Sequence, residues 1–276
     1  MAGTLYIVPT PIGNMGDMTP RAKEILESVD FVASEDTRVG GKLLMLLGIK
    51  KPLVSYHEHT GKSATDSITE RIQNGESCAL ITDAGTPAVS DPGEKLVRSC
   101  ADAGVEITAL PGACAAVTAL SASGLPSRRF CFEGFLPENK RERRDRIDEL
   151  SREKRTFILY ISPHDIDSYL PELADKLGDR SCILAKELTK IHERYFRGTV
   201  REIAEKLQTL SPSEKKGEYV MICEGMNEKD AFWKEMSIPE HVDHYISLGL
   251  SKMDACKAAA RDRGVGKGEI YKSVNN

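Results

Sequence analysis

The sequence lacks the cysteine patterns of disulfide-rich and zinc-binding proteins. None of its seven cysteines forms a C-x-x-C pair, the number is odd, and several lie inside apolar strand or helix patterns. Reduced thiols in such places pack as small hydrophobic groups. The pattern therefore argues against a disulfide framework and a zinc site, and we expect a reducing, cytoplasmic compartment and no bound metal.

Long apolar runs and an excess of basic charge are also missing. No stretch approaches the roughly eighteen apolar residues of a membrane span. Pro9 and Pro11 break the apolar segment near the N-terminus, so we expect no signal peptide and no membrane association. The formal net charge is −4, so any contact with nucleic acid must depend on local basic clusters.

The glycine-rich signatures of two large nucleotide-binding classes are absent. The first predicted strand, residues 4–8, runs into a proline-rich segment at residues 9–14, where a dinucleotide-binding fold would carry G-x-G-x-x-G. No G-x-x-x-x-G-K-[S/T] sequence occurs either, so the chain has no P-loop. Both absences count against nicotinamide, flavin and P-loop nucleotide proteins.

What the sequence does contain is a regular alternation of strand and helix patterns. Up to about residue 112, strands and helices alternate five times, and each strand ends in a polar or Gly/Pro turn. This alternation is typical of an α/β fold with a parallel sheet. The second half contains further β and α patterns. We predict an α/β domain at residues 1–115, a second α/β domain at 116–230 and a small helical tail at 240–276.

The most informative stretch is the strand-to-helix turn at residues 82–93, which is crowded with glycine, proline, aspartate and small hydroxyl residues. Connections of this type usually have about two to six residues. In open α/β sheets, ligands bind beyond the carboxyl ends of the strands. Glycines let the backbone approach a ligand and prolines stiffen the loop. The stretch therefore predicts a ligand-binding loop.

Three other strand ends carry distinctive residues. The acidic and basic cluster at residues 35–38 has an ordinary interpretation as a solvated helix start, where acids are favoured. The two histidines of residues 57–59 suggest a metal site, but no third ligand is evident, so we predict none. The small residues from 111 to 116 open a helix whose free backbone N–H groups a ligand could approach.

Together these segments resemble one family. They are residues 8–14, 35–38, 56–59, 82–93, 110–113, 186–190 and Glu193. Their order and spacing resemble the bacterial 16S rRNA cytidine 2′-O-ribose methyltransferases, the ribosomal branch of the tetrapyrrole methylase superfamily, over nearly the whole chain. Cys114 departs from the serine of many relatives but keeps the backbone N–H. The resemblance implies two α/β domains of the tetrapyrrole methylase type with S-adenosylmethionine in the cleft between them, plus the tail.

The resemblance also implies which residues contact the cofactor. In the first domain they are Pro11, Asp83, Gly85, Thr86, Pro87, Pro111, Gly112 and Ala113. In the second domain they are Tyr160, Leu188 and Thr189, together with residues 217–219.

Catalysis needs help at the nucleophile, because a ribose 2′-hydroxyl is a weak acid that reacts better as its proton is removed. The candidate proton acceptors are Glu35, Asp36, Glu187 and Glu193. Arg38, Lys186 and Lys190 are candidate clamps for phosphate or ribose, and Lys190 is an alternative base if burial lowers its pKa. Ion pairs that brace the domain interface are the alternative interpretation of each of these residues.

The resemblance further implies 16S rRNA within the small ribosomal subunit as partner, and a homodimer. Two alternatives stay open from the sequence. One is a porphyrinoid C-methyltransferase of the same superfamily, and the other is a non-catalytic ribosome-assembly factor that keeps the cofactor pocket.

Overall fold

A computed structural model describes residues 2–227 and 233–275, and this part of the chain contains two five-stranded sheets. The strands of the first sheet are β1 (Thr4–Ile7), β2 (Phe31–Ser34), β3 (Leu53–Ser55), β4 (Cys78–Ile81) and β5 (Glu106–Ala109). The helices that alternate with them are α1 (Pro20–Ser28), α2 (Thr37–Leu47), α3 (Lys62–Gln73) and α4 (Glu94–Asp102).

The first sheet is parallel throughout, in the order β3-β2-β4-β1-β5. Every residue of β2 and β4 is buried, as expected when helices cover both faces of a parallel sheet. Separate apolar clusters lie on the two faces, one around Leu5 and Leu80 and the other around Val32 and Ile81. Because β4, β1 and β5 are parallel neighbours, the loops that follow them meet at one edge of the sheet.

Helix α5 (Ala115–Ser123) follows β5 but packs on the second sheet. Its small residues, such as Ala116 and Ala119, share an apolar cluster with Ile158 and Val220. The Arg197 guanidinium donates hydrogen bonds to the carbonyls of the last helical turn, at 2.7 and 3.0 Å. The C-terminal end of α5 is thereby fixed to the strand that carries Arg197 in the second sheet.

The second sheet has the order β6-β7-β10-β8-β9 and is mixed. Its elements are β6 (Phe130–Phe135), α6 (Lys140–Leu150), β7 (Thr156–Ile161), α7 (Ile166–Leu177), β8 (Ser181–Lys186), β9 (Arg194–Thr199), α8 (Val200–Gln208) and β10 (Tyr219–Cys223). The sequence pattern does not predict β9. This edge strand pairs antiparallel with β8 and buries only Phe196 among polar residues, so its apolar pattern is weak.

The C-terminal helices are α9 (Ile238–Ser247), α10 (Lys252–Arg263) and α11 (Lys267–Asn275). They enclose a small apolar cluster that includes Val242, Cys256 and Ile270. An ion pair of 3.5 Å between Arg152 and Asp262 joins this helical unit to the segment after α6. Within residues 2–227 and 233–275, no helix combines the length and apolar character needed to cross a membrane.

Candidate active site between the two sheets

A cavity of about 330 Å³, here called the central cavity, lies between the two sheets. The first sheet contributes Ile12, Glu35, residues 83–86, residues 89–91, Cys114 and Ala115, and the second contributes Phe135, residues 160–163 and residues 218–220. These segments follow the carboxyl ends of β1, β2, β4, β5, β6 and β7. The start of β10 joins them because β10 runs antiparallel to β7. The cavity thus occupies the sheet edge where the sequence predicts a ligand.

Hydrogen bonds tie together the loops that follow β1, β4 and β5. Thr10 and Gly85 exchange backbone hydrogen bonds of 2.8 and 3.0 Å. The Thr10 hydroxyl donates to the Thr82 carbonyl at 3.1 Å, and the Thr86 hydroxyl donates to the Ala113 carbonyl at 2.9 Å. This edge of the cavity is therefore held in one shape by bonds between loops that are distant in sequence.

Unusual backbone conformations concentrate around this site. In the described part of the chain, the non-glycine residues with positive φ are Ala88, Ser90, Glu187 and Thr189. The first two lie in the loop after β4, and the other two lie between β8 and β9. Each such residue costs on the order of 1–3 kcal/mol, and such strain persists at ligand sites because the surrounding packing enforces it.

The residues predicted to contact the cofactor fall into several locations. Asp83, Gly85, Thr86 and Tyr160 line the central cavity. Pro11 lines an adjoining depression of about 190 Å³ together with Asp83. The Tyr160 hydroxyl accepts a hydrogen bond from the Ala116 backbone N–H at 3.1 Å.

The remaining predicted contacts do not line the central cavity. Pro87 is buried within the loop after β4, while Pro111 and Gly112 are exposed. Ala113 contributes its carbonyl to Thr86. Leu188 is buried in the apolar cluster beneath α5. Thr189 packs beside Gly13, where an added Cβ would lie 3.0 Å from the Thr189 Oγ1.

Asp36, which is half-buried, and the exposed Arg38 form a pair at the start of α2. The Asp36 carboxylate accepts from the Arg38 backbone N–H at 2.8 Å and so caps the helix. Its side-chain hydrogen bonds with Arg38 lower the pKa of Asp36 to about 2. A carboxylate with so low a pKa is a weak proton acceptor. The pair thus has the geometry of an ordinary helix start.

Glu187, Lys190 and Glu193 form a second group on the loop between β8 and β9. The Lys190 ammonium donates to Glu187 at 2.8 Å and to Glu218 at 2.9 Å. Although burial lowers the pKa of Lys190, these bonds outweigh it and raise the pKa. This shift is opposite to the one that a lysine base requires. Glu193 accepts from the Thr189 backbone N–H at 2.5 Å and stabilises the strained turn.

Glu35 and Asp91 come together through Thr82. The Thr82 Oγ1 lies 2.7 Å from the Glu35 Oε2 and 3.1 Å from the Asp91 Oδ1. Burial is the main cause that raises the pKa of Asp91 to about 6; the hydrogen bond from Thr82 opposes the rise, and the charges of Glu35 and Asp83 add smaller contributions to it. The sequence analysis did not select Asp91 as a site residue, although it is part of the informative loop.

His57 and His59 stand with their ring centroids 6.3 Å apart. Among the residues that the structure describes, no group of three or more histidine, cysteine, aspartate and glutamate side chains is placed to hold a metal ion.

Comparisons with known proteins identify the family. The model of the tetrapyrrole (corrin/porphyrin) methylases matches residues 4–204. Ribosomal RNA small subunit methyltransferase I from Bacillus subtilis (strain 168) is 43% identical over 274 residues, which cover 98% of this chain and 93% of the relative. The protein of the same name from Escherichia coli O157:H7 is 42% identical over 274 residues, with coverage of 98% and 94%.

Solved structures share the fold at low sequence identity. Uroporphyrin-III-C-methyltransferase from Thermus thermophilus has a TM-score of 0.55 and 20% identity, covering 80% of this chain and 94% of its own. Diphthine synthase has a TM-score of 0.59 and 14% identity, covering 81% and 90%.

These matches confirm the α/β fold class, a methyltransferase activity and S-adenosylmethionine as the cofactor. The chain belongs to the tetrapyrrole methylase family, in the branch of the ribosomal RNA small subunit methyltransferase I proteins.

Proposed function

We propose that the protein transfers a methyl group from S-adenosylmethionine to the ribose 2′-hydroxyl of a cytidine in 16S rRNA within the small ribosomal subunit. The observation that carries the proposal is the identity of 40–44% to relatives named for the small-subunit RNA over 98% of this chain. Such coverage includes the tail and both sheets. It does not favour a porphyrinoid substrate or a non-catalytic assembly role.

The central cavity fits the cofactor. Its volume lies within the range of about 300–1,000 Å³ that is usual for small-molecule sites, and its walls combine apolar side chains with carboxylates, hydroxyls and backbone groups. We assign cofactor contacts to Asp83, Gly85, Thr86 and Tyr160. Pro11, Pro87 and residues 111–113 shape the adjoining loops, and Leu188 supports α5 from below.

The cofactor supplies a methyl group on a sulfonium, whose departure leaves a neutral sulfur. The protein's part is to hold donor and acceptor in line, which supplies much of the rate of such a transfer, and to receive the hydroxyl proton. Of the predicted acceptors, Glu35 lines the central cavity. The Asp36 carboxylate forms an ion pair with Arg38, and the Glu187 carboxylate forms one with Lys190.

The basic residues available to RNA are fewer than the sequence suggests. In α6, Arg143 is paired with Glu172 at 2.9 Å, and Arg146 is paired with Glu133 and Glu149. Lys140, Arg141 and Arg144 are exposed on this helix, as are Arg128 and Arg129 before β6. We propose that these exposed residues and the basic residues of the tail contact RNA phosphates.

We further propose a cytoplasmic homodimer, since closed two-fold dimers are the commonest soluble oligomers. Two subunits would present their basic patches on one RNA surface. Light scattering at micromolar concentration should give twice the chain mass of 30.4 kDa. A mass of one chain would contradict the dimer.

The function is tested by methyl transfer from labelled S-adenosylmethionine to purified 30S subunits and to naked 16S rRNA, followed by mapping of the modified nucleotide. We expect one 2′-O-methylated cytidine and faster reaction on 30S subunits, because RNA is recognised by shape and exposed single strands. Methylation of a porphyrinoid precursor with no transfer to RNA would refute the proposal.

A further inference from the structure

A second cavity adjoins the central cavity at Glu35 and Asp91. This side cavity, of about 480 Å³, is lined by Glu35, residues 56–58, Ala88 and residues 90–95. Glu35, Ser90 and Asp91 belong to the walls of both cavities. The two carboxyl groups therefore stand where a molecule in one cavity would meet a molecule in the other.

The geometry around Thr82 can accommodate a protonated Asp91. A threonine hydroxyl carries a single proton, so Thr82 cannot donate to both carboxylates at once. Its oxygen is closer to Glu35, at 2.7 Å, than to Asp91, at 3.1 Å. When Thr82 donates to Glu35, a protonated Asp91 can donate to the Thr82 oxygen. Protonation of Asp91 thus completes a hydrogen-bond chain that two ionised carboxylates leave incomplete.

Resting on the proposed function, we propose that the side cavity holds the target nucleotide with its ribose against Asp91, and that Asp91 accepts the 2′-hydroxyl proton. The ribose O–H bond breaks as the oxygen bonds to the methyl carbon. The carbon–sulfur bond breaks with its electron pair left on the neutral sulfur, and the proton ends on Asp91. Thr82 and Glu35 are positioning residues.

The placement explains why the loop after β4 is strained at this point. Ala88 and Ser90, both at positive φ, flank the wall between the cavities. Gly134, at φ +67, faces this wall, and an added Cβ there would lie 2.8 Å from the Ser90 Oγ. Strained residues of this kind persist where the surroundings enforce one geometry. Here that geometry aims Asp91 at the junction of the cavities.

The charged and titratable side chains that line the two cavities with Asp91 come from both sheets. They are Glu35, Tyr56, His57, Glu58, Asp83, Glu94, Lys95, Cys114, Tyr160, Glu218 and Tyr219. With burial as the main cause, the pKa of Asp91 lies at about 6. A proton acceptor works best with a pKa near the working pH. Since Asp91 accepts a proton only when ionised, activity should rise with pH through about 6 and fall below it.

The test compares Asp91→Asn, Glu35→Gln and the control Asp102→Asn, whose exposed carboxylate pairs with the exposed Arg98 at 3.8 Å. Methylation of 30S subunits is measured from about pH 5 to pH 8, on either side of the acceptor's pKa, and S-adenosylmethionine affinity by calorimetry. We expect Asp91→Asn to lower kcat by about 100-fold or more with unchanged cofactor affinity, and Asp102→Asn to match the wild type.

Glu35→Gln supplies a second readout that does not depend on the folding of the Asp91 variant. Removing the negative charge of Glu35 should lower the pKa of Asp91, so the acid limb of the rate profile should move to lower pH. An unmoved limb, a wild-type rate for Asp91→Asn or a loss of its cofactor affinity would overturn the inference. Absence of transfer to 30S subunits by the wild type would instead refute the proposed function, and the inference with it.

Discussion

Replacing Gly85 by valine tests whether the central cavity holds the cofactor. Gly85 has φ +94, which a β-branched residue adopts only under strain. An added Cβ would lie 3.4 Å from an Ile12 methyl, so the Cβ itself fits and the cost comes from the backbone and from the two γ-methyl groups. The two backbone hydrogen bonds between Gly85 and Thr10 oppose relaxation of the loop.

The backbone strain amounts to about 1–3 kcal/mol. If the free loop relaxes, cofactor binding must restore the strained shape, and at 1.4 kcal/mol per factor of ten the affinity falls by about 5- to 150-fold. If the loop does not relax, the same energy is lost from folding stability. The γ-methyl groups at the cavity wall weaken binding in either case. Calorimetric titration with S-adenosylmethionine measures the part of the strain that is lost from cofactor affinity. Thermal unfolding measures the part that is lost from folding stability.

Gly104→Val is the matched control. Gly104 also has positive φ, at +71, and an added Cβ there meets no atom within 4 Å. It lies before β5, at the opposite end of the strands from Gly85. We expect this variant to lose stability but to keep its cofactor affinity. Equal cofactor affinity of the Gly85 and Gly104 variants would refute the location of the cofactor.

Three further outcomes are expected. Arg143→Met removes the partner of the Glu172 carboxylate in a largely buried ion pair. The free energy of unfolding, measured with denaturant, should therefore fall by about 3 kcal/mol. A change below about 0.5 kcal/mol, which is typical of surface sites, would contradict a stabilising role of the pair. Lys190→Met should reduce methylation of 30S subunits but keep the shape of the pH profile, because the raised pKa of Lys190 does not suit a base. If the wild type shows a rise in activity at alkaline pH and the variant loses it, Lys190 would be restored as a base. Deletion of residues 240–276 should weaken binding to 30S subunits and reduce the salt dependence of this binding, while the affinity for the cofactor is kept. If the truncated protein still binds at full strength and with the same salt dependence, the tail has only a packing role.

The sequence predicted the edge of the fold where the site lies, and the reason is local. Apolar runs such as Cys78–Ile81 indicate buried parallel strands, and the Gly/Pro-rich residues that follow them indicate loops built to approach a ligand. Parallel strands place such loops at one edge, whatever the order of the strands. The resemblance over the whole chain gave the family and the cofactor, which the comparisons confirm.

The sequence was less informative about which polar residues work together. Asp36 and Arg38 form a helix cap and an ion pair in the structure, and their catalytic role stays a prediction. The Leu188 side chain lies in an apolar cluster, and its contact with the cofactor likewise stays a prediction. Strand β9 was missed because it is an edge strand, whose exposed face removes most of the apolar signal.

Only the tertiary structure decided that Glu35, Thr82 and Asp91 form one group. Thr82 is separated from Glu35 by 47 positions and from Asp91 by 9, and no local pattern encodes a distance between the ends of different strands. That distance follows from strand order in the first sheet, which sets β2 beside β4. The central cavity likewise depends on tertiary packing, because its walls come from both sheets. Local sequence determined the elements and their turns, whereas packing between elements determined which side chains meet around Thr82.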